Sequence, residues 1–443
     1  MVHTMSFLAL AMLFCLALGQ VAISNQYIMV DGQRFFVRGA DYSIIPIGKT
    51  PDTSYWDDTA ANTTFGRAVW QRDIANIKRM NGNTIRVYSM GGGNHTAFYD
   101  ALLANGIRII LNMWVNWGDF SDPTFKANAL RDWKNFIIKE RHPAVLMWCF
   151  GNELNQGGGR DGPLFSLLNE ARRVVQENDL PNPRPTTTTF ADRDLSSTVA
   201  TFYQSSQIDV WSFQIYRGPS FYDLFTSFNN TVKLRKPLVI TEFGCDAYDN
   251  PNQRVDEAQH ESFNMRLWNE LYSNAGVVAG GLAFNYADEW WRCDKNNAGV
   301  QKTCGNVAQN TCFDNYWNQE YSGLYSISKN PVQNGPDVLT PRSIVTSLTQ
   351  LWRIDPYKIT TVAPTTTKAP TTPAPTTTKA PTTTVTPTTT VPPTITGVPG
   401  CWTCGPGWYQ DPKEWDRCSC SKITSRKVEV QSLYYRKSSV LIN

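Results

Sequence analysis

The stretch Arg141-His-Pro-Ala-Val-Leu-Met-Trp-Cys-Phe-Gly-Asn-Glu153 contains six consecutive apolar residues, Val145 to Phe150, followed closely by an acidic side chain. A short and uniformly apolar run is typical of a strand that is buried on both faces of a parallel sheet. Around this run, amphipathic helical stretches such as Trp70–Met80, Ala129–Ile138 and Asp256–Tyr272 separate eight strand candidates. The candidates are Phe35–Gly39, Thr84–Tyr88, Arg108–Met113, Val145–Phe150, Thr186–Phe190, Val210–Tyr216, Leu238–Thr241 and Gly281–Asn285. Eight strand–helix repeats predict a closed (β/α)₈ TIM barrel of the α/β class.

A doubly wound open sheet is the alternative fold, and it commonly carries a glycine-rich phosphate loop after its first strand. The two glycine runs of this chain, at 91–93 and 157–159, lack the spacing of that loop and are expected to be flexible connections. The four histidines do not have metal-ligand spacing, and no serine nucleophile elbow is present. The sequence therefore predicts a barrel with no cofactor and no metal.

Composition changes divide the 443-residue sequence into four predicted parts. Residues 1–19 are an apolar leader with small residues at its end, which is typical of a signal peptide. Residues 20–359 hold the barrel, which is expected to follow the leader directly. Residues 360–399 are a Thr/Pro-rich linker that cannot bury a core and is expected to be extended and disordered. Residues 400–443 form a small tail rich in cysteine and tryptophan.

The leader and the charge balance together indicate the location of the protein. A net charge of +3 gives no reason to expect a nucleic-acid partner, and no later apolar run is long enough to span a membrane. Three Asn-x-Ser/Thr acceptors, at Asn62, Asn94 and Asn229, are consistent with export. We therefore expect a secreted, extracellular glycoprotein.

Two predicted strands end on glutamates, Glu153 after the fourth and Glu242 at the end of the seventh. Catalytic groups of such barrels lie at the carboxyl ends of the strands, so these two side chains should face each other across the barrel mouth. Glycoside hydrolysis needs two carboxyls of this kind, one to protonate the leaving oxygen and one to attack or to orient water. The alternative is a pair of rim carboxylates in structural salt bridges.

The stretches around both glutamates, 141–153 and Pro237-Leu-Val-Ile-Thr-Glu-Phe-Gly244, resemble the acid/base and nucleophile motifs of clan A retaining glycoside hydrolases. The resemblance covers about residues 27–350. Phe35-Phe-Val-Arg-Gly-Ala-Asp-Tyr42, Asn83-Thr-Ile-Arg-Val-Tyr88 and Gly280-Gly-Leu-Ala-Phe284 are similar to fungal β-1,3-glucanosyltransferases. The stretch before Glu153 is closer to the β-galactosidase/β-glucuronidase family.

The resemblance implies a role for each matching residue. Glu153 would act as general acid and then base, and Glu242 would form the covalent glycosyl-enzyme. Asn152 would bind the 2-hydroxyl of the sugar, Arg86 would hold Glu242 ionised, and Tyr216 would donate to Glu242. The expected stacking platforms for sugar rings are Trp114, Trp117, Trp290 and Trp291.

These features favour a retaining β-glycosidase that acts on a β-linked polysaccharide, preferably a β-glucan, by hydrolysis or transglycosylation. Two alternatives remain open. One is a non-catalytic carbohydrate-binding matrix protein on the same barrel, and the other is an exo-glycosidase of glycoconjugates. The tail could bind glycan or matrix, or its aromatic rings could simply form the core of a very small domain.

The cysteines give a separate expectation, since the oxidising compartment favours disulfides over zinc ligation. Cys149 shares strand parity with Glu153, so its thiol should point into the barrel and stay free. Cys245 and Cys293 follow neighbouring strands and are predicted to pair, as are Cys304 and Cys312 in a short loop. The four tail cysteines would form two further bridges.

Overall fold

The computed structural model describes residues 19–49, 61–157, 161–192, 202, 205–233, 235–294, 301–332 and 335–358, with the backbone of 408–410 and 420–422. The strands of the first part of the chain are β1 (Val21–Ser24), β2 (Tyr27–Val30), β3 (Gln33–Phe35), β4 (Val37–Asp41), β5 (Thr84–Val87), β6 (Arg108–Met113) and β7 (Val145–Asn152). They are followed by β8 (Thr186–Ala191), β9 (Trp211–Gln214), β10 (Leu238–Phe243), β11 (Tyr248–Asp249), β12 (Arg254–Val255) and β13 (Val278–Ala283). Later strands are β14 (Asn306–Val307), β15 (Tyr316–Trp317), β16 (Tyr325–Ser328) and β17 (Val338–Pro341). The α-helices are α1 (Thr64–Arg79), α2 (Thr96–Ala104), α3 (Pro123–Glu140), α4 (Asp161–Asn178), α5 (Leu224–Val232), α6 (Glu257–Ser273) and α7 (Ile344–Leu351).

Eight parallel strands close into a barrel in the order β10-β13-β4-β5-β6-β7-β8-β9. Each of the eight strand candidates overlaps one of these barrel strands, so the (β/α)₈ prediction is confirmed. Because all strands run in the same direction, their carboxyl ends meet at one face of the barrel. Glu242 lies in β10 and Glu153 directly follows β7, so this face receives both glutamates.

A three-stranded antiparallel sheet, β1-β2-β3, precedes the barrel and was not predicted. Val21 and Ile28 of this sheet share a buried apolar cluster with Val37, Met147 and Val239, which lie near the beginnings of barrel strands. The sheet therefore covers the amino end of the barrel and leaves the opposite end open for a site. The largest fully buried side chains are six indoles, those of Trp133, Trp148, Trp211, Trp268, Trp290 and Trp352.

Two glycines allow close contact where the first and last barrel strands meet their neighbours. A Cβ on Gly39 would lie 1.6 Å from the carbonyl oxygen of Thr84, and one on Gly280, at φ +115°, would lie 2.1 Å from that of Val37. A larger side chain cannot fit at either position. The resulting register places Asp41, the last residue of β4, beside Arg86 in β5.

The chain divides into two compact units, Met1–Ala363 and Pro364–Asn443. In the second unit, β18 (Trp408–Gln410) pairs in antiparallel fashion with β19 (Cys420–Lys422). Nearly all of the expected signal peptide and the whole expected Thr/Pro linker lie outside the described residues, and the four-part division of the chain stays a prediction. Among the described helices, none combines the length and the apolar character that crossing a bilayer requires.

Candidate active site

Glu242 lies in the barrel wall with 7% of its surface exposed, and four side chains donate hydrogen bonds to its carboxylate. Oε1 accepts from Arg86 Nη1 at 2.9 Å, from Tyr88 Oη at 2.7 Å and from the amide of Gln214. Among the described residues, Oε2 accepts only from Tyr216 Oη, at 3.0 Å. Hydrogen bonds of this kind stabilise the ionised form of a carboxyl. The oxygens are thus unequal, because Oε1 is saturated and Oε2 keeps room for a further contact.

Arg86 connects Glu242 to the rest of the site and is completely buried. Its Nη1 donates to Asp41 Oδ1 at 2.8 Å as well as to Glu242, and its Nη2 donates to Asn152 Oδ1 at 2.6 Å. Nη2 also donates to Thr189 at 3.3 Å. The planar guanidinium fork, which a lysine ammonium does not have, allows one side chain to orient residues from four strands.

Glu153 takes a left-handed backbone conformation, with φ +52°, immediately after β7. Its N–H donates to the carbonyl of Thr189 at 2.8 Å, which anchors the turn to the next strand. Its half-buried carboxyl accepts a hydrogen bond from the amide of Gln156. Burial, aided by the negative charge of Glu242 and opposed by Arg86, raises the pKa of Glu153 to about 7. This carboxyl can therefore hold a proton near neutral pH.

Asn152 directly precedes Glu153 in the chain, and its side chain shares two donors, Arg86 and Gln214, with Glu242. Its Oδ1 accepts from Arg86, from Gln214 Nε2 at 2.7 Å and from Thr189 Oγ1 at 3.1 Å. The described contacts of its side chain all end on this oxygen, so the amide N–H groups are available to donate to a ligand.

Four residues of the network have no role in the sequence analysis: Asp41, Tyr88, Thr189 and Gln214. Tyr88 lies two residues beyond Arg86 and so shares its face, a parity signal that was available in the sequence. Gln214 is the register partner of Glu242 in the neighbouring strand. Burial raises the pKa of both Tyr88 and Tyr216 well above the usual range, so both phenols remain donors. Asp41 could be found only from the register of β4 against β5.

The four expected aromatic platforms differ in accessibility. Trp114 and Trp117, in the loop after β6, are 51% and 54% exposed. Trp290 is 1% exposed and donates through its indole N–H to the carbonyl of Ile45 at 2.9 Å, so its faces are closed to a sugar. The ring of the partly buried Trp291 lies against the guanidinium of Arg292, at 4.6 Å.

Another aromatic group, which the sequence analysis missed, lies beside Tyr216. Trp317 contacts the Tyr216 ring edge-on, at 4.5 Å between centroids, and Phe284 stacks near Trp317 at 6.3 Å. Trp317 is only partly buried. It belongs to β15, far from the barrel strands in sequence, which is why strand-end reasoning did not find it.

The cysteine prediction is confirmed for Cys149, which is free and buried, and wrong for the two predicted pairs of the barrel unit. The side chains of the four tail cysteines lie outside the described residues, so their two bridges stay a prediction. The disulfides join Cys245 to Cys312 and Cys293 to Cys304, with Cα separations of 5.1 and 5.4 Å. The loop after β10 packs against the segment after residue 310 rather than against the loop after β13. Asp246 accepts the backbone N–H of Asn318 at 2.9 Å, which brings Cys312 to Cys245.

Two groups of potential metal ligands occur in the described part of the chain, Cys245–Asp246–Cys312 and Cys293–Cys304–Glu320. Each contains a disulfide, whose sulfurs are not available as thiolate ligands. These groups therefore do not offer the donors that a metal ion requires.

The amino-acid sequence of this chain is similar to that of known glucanosyltransferases. The profile of the family described as glucanosyltransferase matches residues 17–322. A 1,3-β-glucanosyltransferase of Candida albicans, PGA4, is 25% identical over 332 residues, which are 69% of this chain and 65% of that protein. The chain thus spans slightly less than two thirds of that relative.

Solved structures show the same fold at low identity. Gas2p of Saccharomyces cerevisiae, in complex with laminaritriose and laminaritetraose, matches with a TM-score of 0.54 and 18% identity, covering 75% of this chain and 68% of that one. A Bifidobacterium dentium β-glucuronidase matches with a TM-score of 0.53 and 16% identity, covering 75% and 49% of the two chains.

Proposed function

The chain belongs to the glucanosyltransferase family, and on this basis we propose that it cleaves a β-linked glucan with retention of configuration. The glycosyl unit would pass to a second sugar or to water. The observation that carries the proposal is the unequal environment of the two carboxyls. Glu242 accepts four hydrogen bonds, whereas burial raises the pKa of Glu153 to about 7. Two carboxyls whose environments differ in this way are suited to be nucleophile and acid.

In the first step Glu153 gives its proton to the leaving oxygen while Glu242 attacks the anomeric carbon. The attacking atom is Oε2, because Oε1 already accepts three hydrogen bonds and Oε2 accepts one. In the second step Glu153, now ionised, takes the proton of the incoming hydroxyl, and the ester of Glu242 is cleaved. The same four donors then stabilise the departing carboxylate.

Four neighbours support these steps. Arg86 and Tyr216 hold the carboxylate of Glu242 in one orientation. Asn152, whose oxygen is fixed by Arg86 and Gln214, donates its amide to the 2-hydroxyl of the sugar, a contact that strengthens in the transition state. Trp114 is exposed in the loop that follows β6, and β6 pairs with β7, the strand that Glu153 follows. Its indole would stack a glucose ring on the Glu153 side of the cleft.

The test is the stereochemistry and the size of the products. With β-1,3-glucan oligosaccharides, proton NMR should record β-configured products first, and mass spectrometry should record chains longer than the substrate where transfer occurs. Direct attack also requires the two carboxyls to lie about 5–5.5 Å apart. Mannan oligosaccharides of equal length serve as the control. First products of α configuration, or no turnover of any β-glucan, would contradict the proposal, and release of monosaccharide alone would favour the exo-acting alternative.

We propose further that the protein is secreted and that its tail adds a second glycan contact. The tail contains Trp402, Trp408, Tyr409 and Trp415 within a short stretch, and a linker is a common way to tether a binding module. Export should yield a mature chain in the medium that begins near Gln20. Cleavage within the linker should lower retention of the barrel on insoluble glucan; equal retention of barrel and full chain would exclude a binding role for the tail.

A further inference from the structure

Asp41 ends the first barrel strand and lies completely buried beside Arg86. Its Oδ1 accepts a hydrogen bond from Arg86 Nη1, the nitrogen that also donates to Glu242. Its Oδ2 is buried and has no hydrogen-bond partner among the described residues. Asp41 is thus a carboxyl of the active-site network that the proposed two-step reaction does not use.

Arg86 is a single positive charge between two buried carboxyls, those of Asp41 and Glu242. One guanidinium contacts two carboxyls, so a second ionised carboxylate would leave one buried negative charge without a cation. Such a charge is costly to bury, and one carboxyl must be neutral to avoid it. Glu242 accepts four donors and Asp41 accepts one, so the proton belongs on Asp41.

The other groups that surround Asp41 do not change this assignment. Burial raises the pKa of Asp41 well above its usual range, Arg86 opposes that rise, and the negative charges of Glu242 and Glu289 add to it. Glu289 has its own partner in Arg292. Burial also raises the pKa of the Cys149 thiol to about 11 and raises the pKa values of the Tyr88 and Tyr216 phenols, so all three groups are neutral.

We propose that Asp41 is a positioning residue that holds Arg86 in place as a neutral carboxylic acid, so that the charge of Arg86 acts on Glu242 alone. The proposal rests on the proposed function, because it gives Glu242 the role of nucleophile. An ionised Asp41 would compete for the same nitrogen and weaken the support of the attacking carboxylate. A neutral one orients the guanidinium through its carbonyl oxygen without that competition.

The first test compares Asp41→Asn with Asp41→Ala in the full chain. Asparagine keeps an oxygen that can accept from Arg86 and carries no charge, so it should recover most of the kcat that alanine loses. Alanine removes the anchor of Arg86 and should lower kcat about 10²-fold, the scale expected for misplacing a catalytic group. KM should change little, because Asp41 is not exposed to a ligand. Equal and large losses in both variants would overturn the proposal.

Asp179→Asn and Asp179→Ala provide the matched control. Asp179 is also completely buried and paired with an arginine, Arg184, but it lies before β8 at the other end of the barrel. These variants should lower stability without a specific loss of kcat. If both pairs of variants behave alike, Asp41 is merely structural and the proposal is wrong.

A second test reads the proton itself and needs no turnover. The infrared difference spectrum of wild type minus Asp41→Asn should contain the carbonyl stretch of a protonated carboxyl. Loss of a carboxylate band instead would overturn the proposal. A wild type that fails to act on any glucan would contradict the proposed function, while this spectrum would still report whether Asp41 is protonated.

Discussion

Replacing Glu242 with alanine is expected to lower kcat by about 10⁵-fold or more, the scale found when a catalytic nucleophile is removed. The variant cannot form the covalent intermediate, so the step that Glu153 assists has no attacking group. The space left by the carboxylate lies between Tyr216 and the fork of Arg86. A small anion such as azide should enter it and restore part of the turnover of an activated aryl β-glucoside. The product should then be the glycosyl azide of inverted configuration, identified by NMR.

Glu140→Ala is the control for this experiment. Glu140 is a buried glutamate on α3 that accepts from Tyr99 at 2.6 Å and pairs with His95. Its replacement breaks a buried network and should lower the free energy of unfolding by about 3–5 kcal/mol, without any rescue by azide. Azide rescue of this variant, or a Glu242→Ala enzyme that retains its turnover without azide, would contradict the assignment of the nucleophile.

Replacing Glu153 with glutamine should separate substrates by their leaving groups. Loss of a general acid typically lowers the rate by about 10²–10⁴-fold where protonation is needed, as for a sugar leaving group. An aryl glucoside with an acidic phenol needs little protonation, so its glycosylation step should be far less affected. Measuring kcat/KM for both substrates in wild type and variant gives the comparison. Equal losses on both would show that Glu153 is not the acid.

The pH dependence of kcat/KM should identify the same group. The acid must be protonated in the free enzyme, and burial raises the pKa of Glu153 to about 7. Activity should therefore be present below pH 7 and decline as the pH rises through that value. The decline should disappear in Glu153→Gln and persist in Glu170→Gln, a glutamate on α4 that pairs with Lys126. A decline that persists in Glu153→Gln would have to come from another group.

The barrel and the positions of its two glutamates could be predicted because both depend on local pattern. Apolar runs such as Val145–Phe150 indicate strands buried on both faces, and eight repeats leave few ways to close the sheet. The free thiol of Cys149 follows from strand parity, again a property of neighbouring residues. The short strands β1 to β3 escaped prediction, because three-to-four-residue strands carry too little pattern.

The cysteine pairs depended on loop packing, which strand order alone does not specify. Cys245 and Cys293 follow adjacent strands, yet Asp246 draws the first loop toward Asn318, and Cys312 reaches Cys245 instead. The same limit applies to Trp290, which follows a barrel strand in sequence but is buried, with its indole N–H donating to the carbonyl of Ile45.

The sequence by itself determined that Arg86, Glu153 and Glu242 lie at the mouth of the barrel, since strand ends and side-chain parity follow from short-range periodicity. Only the tertiary structure decided how those residues share hydrogen bonds and charge. Arg86 contacts Asp41 and Glu242 through a single nitrogen because closure of the barrel brings β4, β5 and β10 together. Burial in that closed space raises the pKa of Asp41, and the nearby charge of Glu242 adds to that rise because water cannot screen it.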